Sequence, residues 1–225
     1  MITVHHLENS RSQRVLWLLE ELGTPYTVKR YARHPKTMLA PPELKAVHPL
    51  GKSPVIDDDG TVVAESGAIV EYLCDAHGAG RLKPAAGTPE ARRYTYWLHF
   101  AEGSLMPPLL VALIFAKVRS AKVPFFVKPI LKGVAGQVHK GYIDPNVTSL
   151  LAFMEAELAT RDWFAGPEFT AADVQLSYPV EAAAAGRAAF TAASHPKLHA
   201  WLTRCQARPA YQRALQVGGP YSVIP

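Results

Sequence analysis

In the stretch HPLGKSPVIDDDGTVVAES, running from His48 to Ser66, a proline stands at the mouth of a strand. Val55-Ile56, the turn Asp58-Asp59-Gly60 and Val62-Val63 predict a β-hairpin. Pro54 cannot donate to a sheet ladder, so it belongs on an edge or at the first residue of a strand. Glu65-Ser66 follows the second strand directly, and Ser66 can N-cap a helix through Ile69, Leu73 and Ala76.

The chain before the hairpin alternates in the same way. ITVHHL reads as a strand. Val15, Leu18, Leu19 and Leu22 fall at i, i+3, i+4 and i+7, the face of a helix that Gly23 stops. PYTVKRY reads as a second strand. The order β-α-β, a variable segment, then β-β-α predicts a small α/β domain over residues 1–79, with helices on a mixed sheet. A turn-rich linker over 80–89 leads to a region of different rhythm. Thr88-Pro89-Glu90 supplies a cap, a proline at N1 and an acid in the first turn. Tyr94, Trp97, Leu98, Ala101 and Leu105 form one apolar stripe. Val147, Leu150, Leu151, Met154 and Leu158 form a second, and Leu198, Trp201, Leu202 and Cys205 a third. Residues 90–225 are expected to be all-helical, with no strand. The only biased segment is EAAAAGRAA.

Composition narrows the class. Among 225 residues, 48% are hydrophobic and 19% charged, which suits an ordinary globular protein. MITVHHLENS has neither the basic start nor the apolar core of a secretory signal. The longest apolar run, Leu105 to Ala116, is too short to span a bilayer and holds two prolines. Cys74 and Cys205 lie far apart, which fits a reducing compartment, hence the cytoplasm, and excludes a disulfide scaffold or cysteine zinc site. The histidines form no HExxH, so no metal site is expected. The net charge of +5 favours small anionic partners but is spread along the chain, so nucleic acid is not expected.

A proline opening the third strand of a β-α-β-β-α domain is the thioredoxin plan. In that plan a cis proline leaves the preceding residue, here Ser53, free to pair with an extended peptide. A helix N-terminus at Ser66 attracts a carboxylate, and the Glu65 side chain can take an ammonium. Glutathione carries both groups on its γ-glutamyl end.

Four motifs then resemble one family, the cytosolic glutathione transferases, over nearly the full length. NSRSQRVLWLLEEL resembles its first loop and helix, HPLGKSPV its cis-proline segment and AESGAIVEYL its γ-glutamyl site. FTAADVQLSY resembles its C-terminal capping motif. Within the family the chain is most similar to serine-type members of bacteria and fungi. No tyrosine ends the first strand, where His5, His6 and Leu7 stand, and no cysteine occupies the loop.

The resemblance implies a thioredoxin-like glutathione-binding domain, an all-α C-terminal domain and a homodimer, although Gly67 stands where some members carry a dimer-joining arginine. It implies glutathione as co-substrate and no cofactor. Ser10 ranks first and Asn9 second as donor to the glutathione sulfur. Ser10 could instead be a plain N-cap, as could Ser12. Lys52 either meets the glycyl carboxylate or is an exposed loop lysine; His48 is read as a loop residue. Arg11 is either a contact of the second substrate or a surface charge. Trp97, Phe100, Met106 and Phe115 are candidates to line an apolar pocket for a hydrophobic electrophile, with plain core as the alternative. Thr170 and Asp173 read as a capping box. KVPFFVKPILKG, from Lys122 to Gly133, mixes basic and aromatic residues and could touch a membrane surface, but it is read as a connection over the pocket mouth and membrane contact is not expected. The function implied is attack of an activated glutathione thiolate on such electrophiles. Peroxidase or reductase chemistry, or a non-catalytic ligand- or partner-binding protein on the same fold, are the rivals.

Overall fold

The computed structural model describes residues 1–186 and 190–223; the end of EAAAAGRAA, residues 187–189, lies outside them. The N-terminal part is built from β1 (Ile2–Leu7), α1 (Ser12–Leu22), β2 (Tyr26–Tyr31), the short α2 (Leu44–Val47), β3 (Val55–Asp58), β4 (Thr61–Ala64) and α3 (Ser66–His77). Its four strands run in the order β2-β1-β3-β4. β1 and β2 are parallel, while β3 is antiparallel to both β1 and β4. The parallel pair requires the crossover helix α1, and the antiparallel pair is closed by a two-residue loop. That loop is Asp59-Gly60, one residue tighter than the sequence predicts, and both residues have positive φ, as a primed hairpin turn demands. Gly23, at φ 64, ends α1 and returns its N–H to the Leu19 carbonyl.

The remainder is helical: α4 (Pro89–Phe100), α5 (Met106–Arg119), α6 (Lys128–Val138), α7 (Asp144–Leu158), α8 (Ala171–Ala185), α9 (Pro196–Gln206) and α10 (Pro209–Gly218). No strand occurs past residue 90 among the described residues. The molecule is thus a thioredoxin-like domain with an all-α domain against it. Thr88 caps α4 by accepting from Ala91 N–H, as its sequence predicts.

Two π-helical segments join helices into long rods. Ala101–Leu105 links α4 to α5, and His139–Ile143 links α6 to α7. Each precedes prolines (Pro107 and Pro108, then Pro145) that cannot donate to carbonyls one turn back. Local widening of the helix accommodates that loss. The prolines of the apolar run therefore do not break it. Pro89–Arg119 form one 31-residue helical rod, long and apolar enough by length and composition to cross a membrane. Tyr94, Trp97, Leu98, Phe100, Ala101 and Leu105 of this rod are buried in the protein core.

One hydrophobic core spans both parts. α1 is buried along nearly its whole length. Trp17 reaches from it to Phe169 and Tyr211, with ring centroids 5.7 and 5.1 Å apart.

Candidate functional site

Strand register gathers the candidate residues. β1 ends at Leu7, β3 starts at Val55 opposite His5, and β4 ends at Ala64 opposite Val55. Asn9-Ser10, Ser53-Pro54 and Glu65-Ser66 therefore emerge at the same end of the sheet. Ser53 Oγ fastens the junction, donating to the His5 carbonyl at 2.9 Å and accepting from Leu7 N–H at 3.3 Å. The Ser53–Pro54 peptide bond is cis. Among the described residues no hydrogen bond engages the backbone N–H or C=O of Ser53.

Ser10 is buried just before α1. Its Oγ accepts from Ser12 N–H at 3.2 Å and lies 2.7 Å from Ser12 Oγ. Ser12 Oγ in turn lies 2.9 Å from His6 Nδ1 and donates toward the Leu7 carbonyl at 3.3 Å. Burial, then the charge of Arg30, push the His6 pKa down to about 4, opposed by a hydrogen bond to the Gly218 backbone. The ring is therefore neutral at pH 7. The result is a buried chain Ser10–Ser12–His6 reaching into β1. The N-cap of α1 is Arg11, without a side-chain cap bond; Ser10 takes the Ser12 N–H from one residue earlier, with its hydroxyl proton able to point elsewhere. Ser12, the alternative cap, is the first residue of α1 and turns its hydroxyl back to the strand.

Asn9 sits at φ 49, in the left-handed region, and its Oδ1 accepts from Ser222 N–H at 2.8 Å. Its side-chain oxygen is thus committed to the C-terminal segment. Glu65 is exposed at φ 71. For a non-glycine residue such geometry costs about 1–3 kcal/mol and collects at functional sites. Ser66 is buried and opens α3 as its first residue; the N-cap is Glu65, without a side-chain bond, which corrects the expected Ser66 cap. The first N–H groups of α3 have no partner within the helix and are available to an anion. Lys52 is exposed and joins no ion pair among the described residues. His48 stays in its loop, accepting from Leu50 N–H at Nδ1.

Behind this sheet end lies a charged seam that the sequence does not single out. Arg14 is fully buried, pairs with Glu102 and donates to the Gln175 carbonyl at 2.6 Å. Gln175 lies four residues before Pro179, which has no N–H to give it, so the guanidinium satisfies an acceptor that the proline orphans. Arg11 Nε meets the other Glu102 oxygen at 3.2 Å, and its guanidinium lies 5.3 Å from the Tyr178 ring centroid. Burial pushes the Glu102 pKa up, but the two arginines outweigh it and hold the carboxyl below its ordinary value.

Beyond Tyr178 opens an apolar cavity of about 260 Å³. Met106 and Leu113 of α5, Val147 of α7, Tyr178 and Ala182 of α8, and Val223 line it, with His139 as an imidazole in the wall. Of the five residues expected around an electrophile, Met106 lies in this wall, and Arg11 stands next to it across Tyr178. Trp97 and Phe100 belong to the core instead, packed on Phe153 with ring centroids 5.6 and 5.8 Å away, and Phe115 is outside the lining. The segment 122–133 contributes no residue to the cavity wall.

Asp173 is folded away from all of this. It is fully buried and accepts from Thr170 N–H, Thr170 Oγ–H, Phe164 N–H and Trp201 Nε1–H at 2.9–3.2 Å. Burial pushes its pKa up against the pull of these donors. The capping box is present at the head of α8.

A cis-proline loop, a hydroxyl at the first helix and a Glu-Ser turn, all at one end of a thioredoxin-like sheet with a helical domain beside it, define a class of glutathione-using proteins. Residues 10–76 match the family model for the glutathione S-transferase N-terminal domain, and residues 121–209 that for the C-terminal domain. Glutathione S-transferase 3 of Schizosaccharomyces pombe is 34% identical over 96% of this chain and 87% of its own. Glutathione S-transferase 1 of Saccharomyces cerevisiae is 31% identical over 94% and 92%. The crystal structure of a glutathione S-transferase from Actinobacillus pleuropneumoniae superposes with a TM-score of 0.78 at 33% identity, covering 96% of this chain and 92% of that one. A glutathione transferase of Phanerochaete chrysosporium, solved with oxidized glutathione, shares the fold at 21% identity, TM-score 0.76, over 96% and 94% of the two chains. The chain belongs to the glutathione S-transferase family. It is an enzyme that uses glutathione as co-substrate.

Proposed function

We propose that the chain is a serine-type glutathione transferase in which Ser10 holds the glutathione sulfur as a thiolate for attack on a hydrophobic electrophile. The observation that carries this reading is the strand register, which sets Ser10, Ser53-Pro54 and Glu65-Ser66 at one sheet end. Ser53 offers its backbone N–H and C=O to the cysteinyl unit. Glu65 takes the γ-glutamyl ammonium, and Ser66 with the first turn of α3 takes its carboxylate. Lys52 meets the glycyl carboxylate. The thiol gives its proton to solvent, and the Ser10 hydroxyl turns from Ser12 to donate to the sulfur while still accepting from Ser12 N–H. A hydrogen bond to a charged group is worth about 1.5–3 kcal/mol, which lowers a thiol pKa by about one or two units. Asn9, whose Oδ1 accepts from Ser222 N–H, ranks second, with its Nδ2–H2 as the alternative donor.

The electrophile lies in the cavity beyond Tyr178, with Arg11 facing the charge that develops on it. The sulfur forms a bond to carbon, and the leaving group departs with its electron pair. This is the chemistry of detoxifying conjugation in a cytoplasmic homodimer. Exposed Val62 on edge strand β4 and Tyr96 on α4 are apolar surface for a second copy. The domain division 1–79, 80–89 and 90–225 follows the change from sheet to helix. Two structural neighbours that share the fold were solved with oxidized glutathione and with glutathione.

The test is a panel of aryl halides, hydroperoxides and mixed disulfides, each run with glutathione on wild type and Glu65→Ala. The reading predicts turnover of the aryl halides, with the glutathione KM raised at least tenfold in the variant. Turnover of hydroperoxides or mixed disulfides alone would transfer the chain to the rival chemistry. An unchanged KM would move the γ-glutamyl site elsewhere.

A further inference from the structure

The tip of the α5–α6 hairpin combines unpaired cations with exposed aromatic rings. From Gly103 to Ile143 the sequence carries Lys117, Arg119, Lys122, Lys128, Lys132 and Lys140 and no Asp or Glu. None of these cations joins an ion pair among the described residues. Arg119, Lys122, Lys128 and Lys132 converge on one open cleft at the tip, of about 670 Å³. Beside it Phe125 and Phe126 are 82% and 65% exposed, edge to face with ring centroids 5.7 Å apart. Ile130, 63% exposed, and Val134 continue from Phe126 at four-residue spacing as one apolar stripe along α6.

We propose that this tip docks on an anionic lipid surface, with Phe125 and Phe126 entering the interface and the four-cation cleft holding a phosphate-bearing headgroup. The chemistry fits on both sides. Aromatic side chains settle at the boundary of headgroups and acyl chains, and clustered Lys and Arg are drawn to anionic leaflets. A convex apex with its phenylalanines outermost suits a deformable bilayer, whereas a protein partner would need a groove shaped to receive it. Duplex nucleic acid would meet the charges but leave the rings in water. The tip stands clear of the glutathione site: Arg119 is about 25 Å of helix beyond Glu102. It is close to the electrophile cavity, whose wall ends on α5 at Ala116, one turn before Arg119. The proposal departs from the expectation that the chain stays away from membranes.

Co-sedimentation of the full chain with vesicles tests this. Vesicles of phosphatidylcholine with one-third phosphatidylserine are compared with pure phosphatidylcholine, at low and physiological salt. The chain is expected to bind the anionic vesicles, and less as salt rises. Lys122→Gln/Lys128→Gln should weaken that binding about 25-fold, at about fivefold per cation. Phe125→Ser/Phe126→Ser should weaken it at least tenfold. Both variants should keep the wild-type rate of aryl-halide conjugation in solution, which certifies the fold. Equal binding to neutral vesicles, or none to either, overturns the proposal. So does retention on duplex DNA without vesicle binding. If Phe125→Ser/Phe126→Ser reduces the sedimenting mass and leaves vesicle binding intact, a second copy covers the rings and the proposal fails.

Discussion

At the scale of single residues, the site depends on a hydroxyl whose proton has two possible partners. Ser10 is anchored by an accepted bond from Ser12 N–H, so in the proposed reading its oxygen stays in place when its proton turns to sulfur. His6 ends the chain as a neutral ring, and that neutrality has a consequence for stability. Its pKa falls from 6.5 in the unfolded chain to about 4 in the folded one. Between those values the unfolded chain binds more protons, so this group's contribution rises with pH and is lost as pH falls from 6.5 toward 4. The difference amounts to about 3 kcal/mol. Asp173 and Glu181, both pushed up by burial, act in the opposite direction, so the comparison is made against His6→Gln. Urea unfolding should show wild type losing about 3 kcal/mol relative to the variant between pH 7 and 4. Parallel curves would mean that His6 is charged in the fold. The motif residues of this site are contiguous in sequence and were legible there. Arg14, Glu102 and Tyr178 were not, because they meet only after α1, the α4–α5 rod and α8 have folded together.

At the scale of elements, period and punctuation carried most of the information. The i, i+3, i+4 stripes of α1, α4, α7 and α9 are buried almost residue for residue, because a stripe of that width has to be covered. What a stripe cannot reveal is whether it faces side chains or a void. Trp97 and Phe100 were candidates for a pocket wall and fill the core. The cavity is made where residues are small, at Ala112, Ala182 and Gly186. The π-helical joints were likewise hidden, since prolines read as breaks until a wider turn absorbs them. The head of α8 illustrates how far a cap can reach. Asp173→Ala removes a cap, typically about 1 kcal/mol. It also strands the buried N–H groups of Phe164 and Trp201, each at about 1–3 kcal/mol. Chemical unfolding should therefore register a loss of about 3 kcal/mol or more, while the glutathione KM of the folded fraction stays at the wild-type value. A stable Asp173→Ala protein without activity would give Asp173 a role in the chemistry.

At the scale of the whole molecule, sheet and helices are held as one body. Trp17 is seated between Phe169 and Tyr211, Arg208 pairs with Glu21 at 2.5 Å and Arg213 with Glu20 at 2.7 Å. Tyr221 donates to the buried Glu181, and Ser222 to Asn9, drawing the C-terminal segment across the loop that carries Ser10. With one core spanning both domains, unfolding should be a single transition, coincident by tryptophan fluorescence and far-ultraviolet circular dichroism. Two separated transitions would show that the domains are only loosely joined. In the proposed reading glutathione is held by one domain and ionised at the seam with the other, and the ionisation can be read directly. Thiolate absorbance of the enzyme–glutathione complex is titrated in wild type, Ser10→Ala and Asn9→Ala. Ser10→Ala should still bind glutathione but raise the bound thiol pKa by about one or two units, with conjugation near pH 7 slowed about ten- to hundredfold and partly restored at higher pH. An unshifted pKa in Ser10→Ala with a raised one in Asn9→Ala would move the role to Asn9, and no shift in either would contradict the serine-type account.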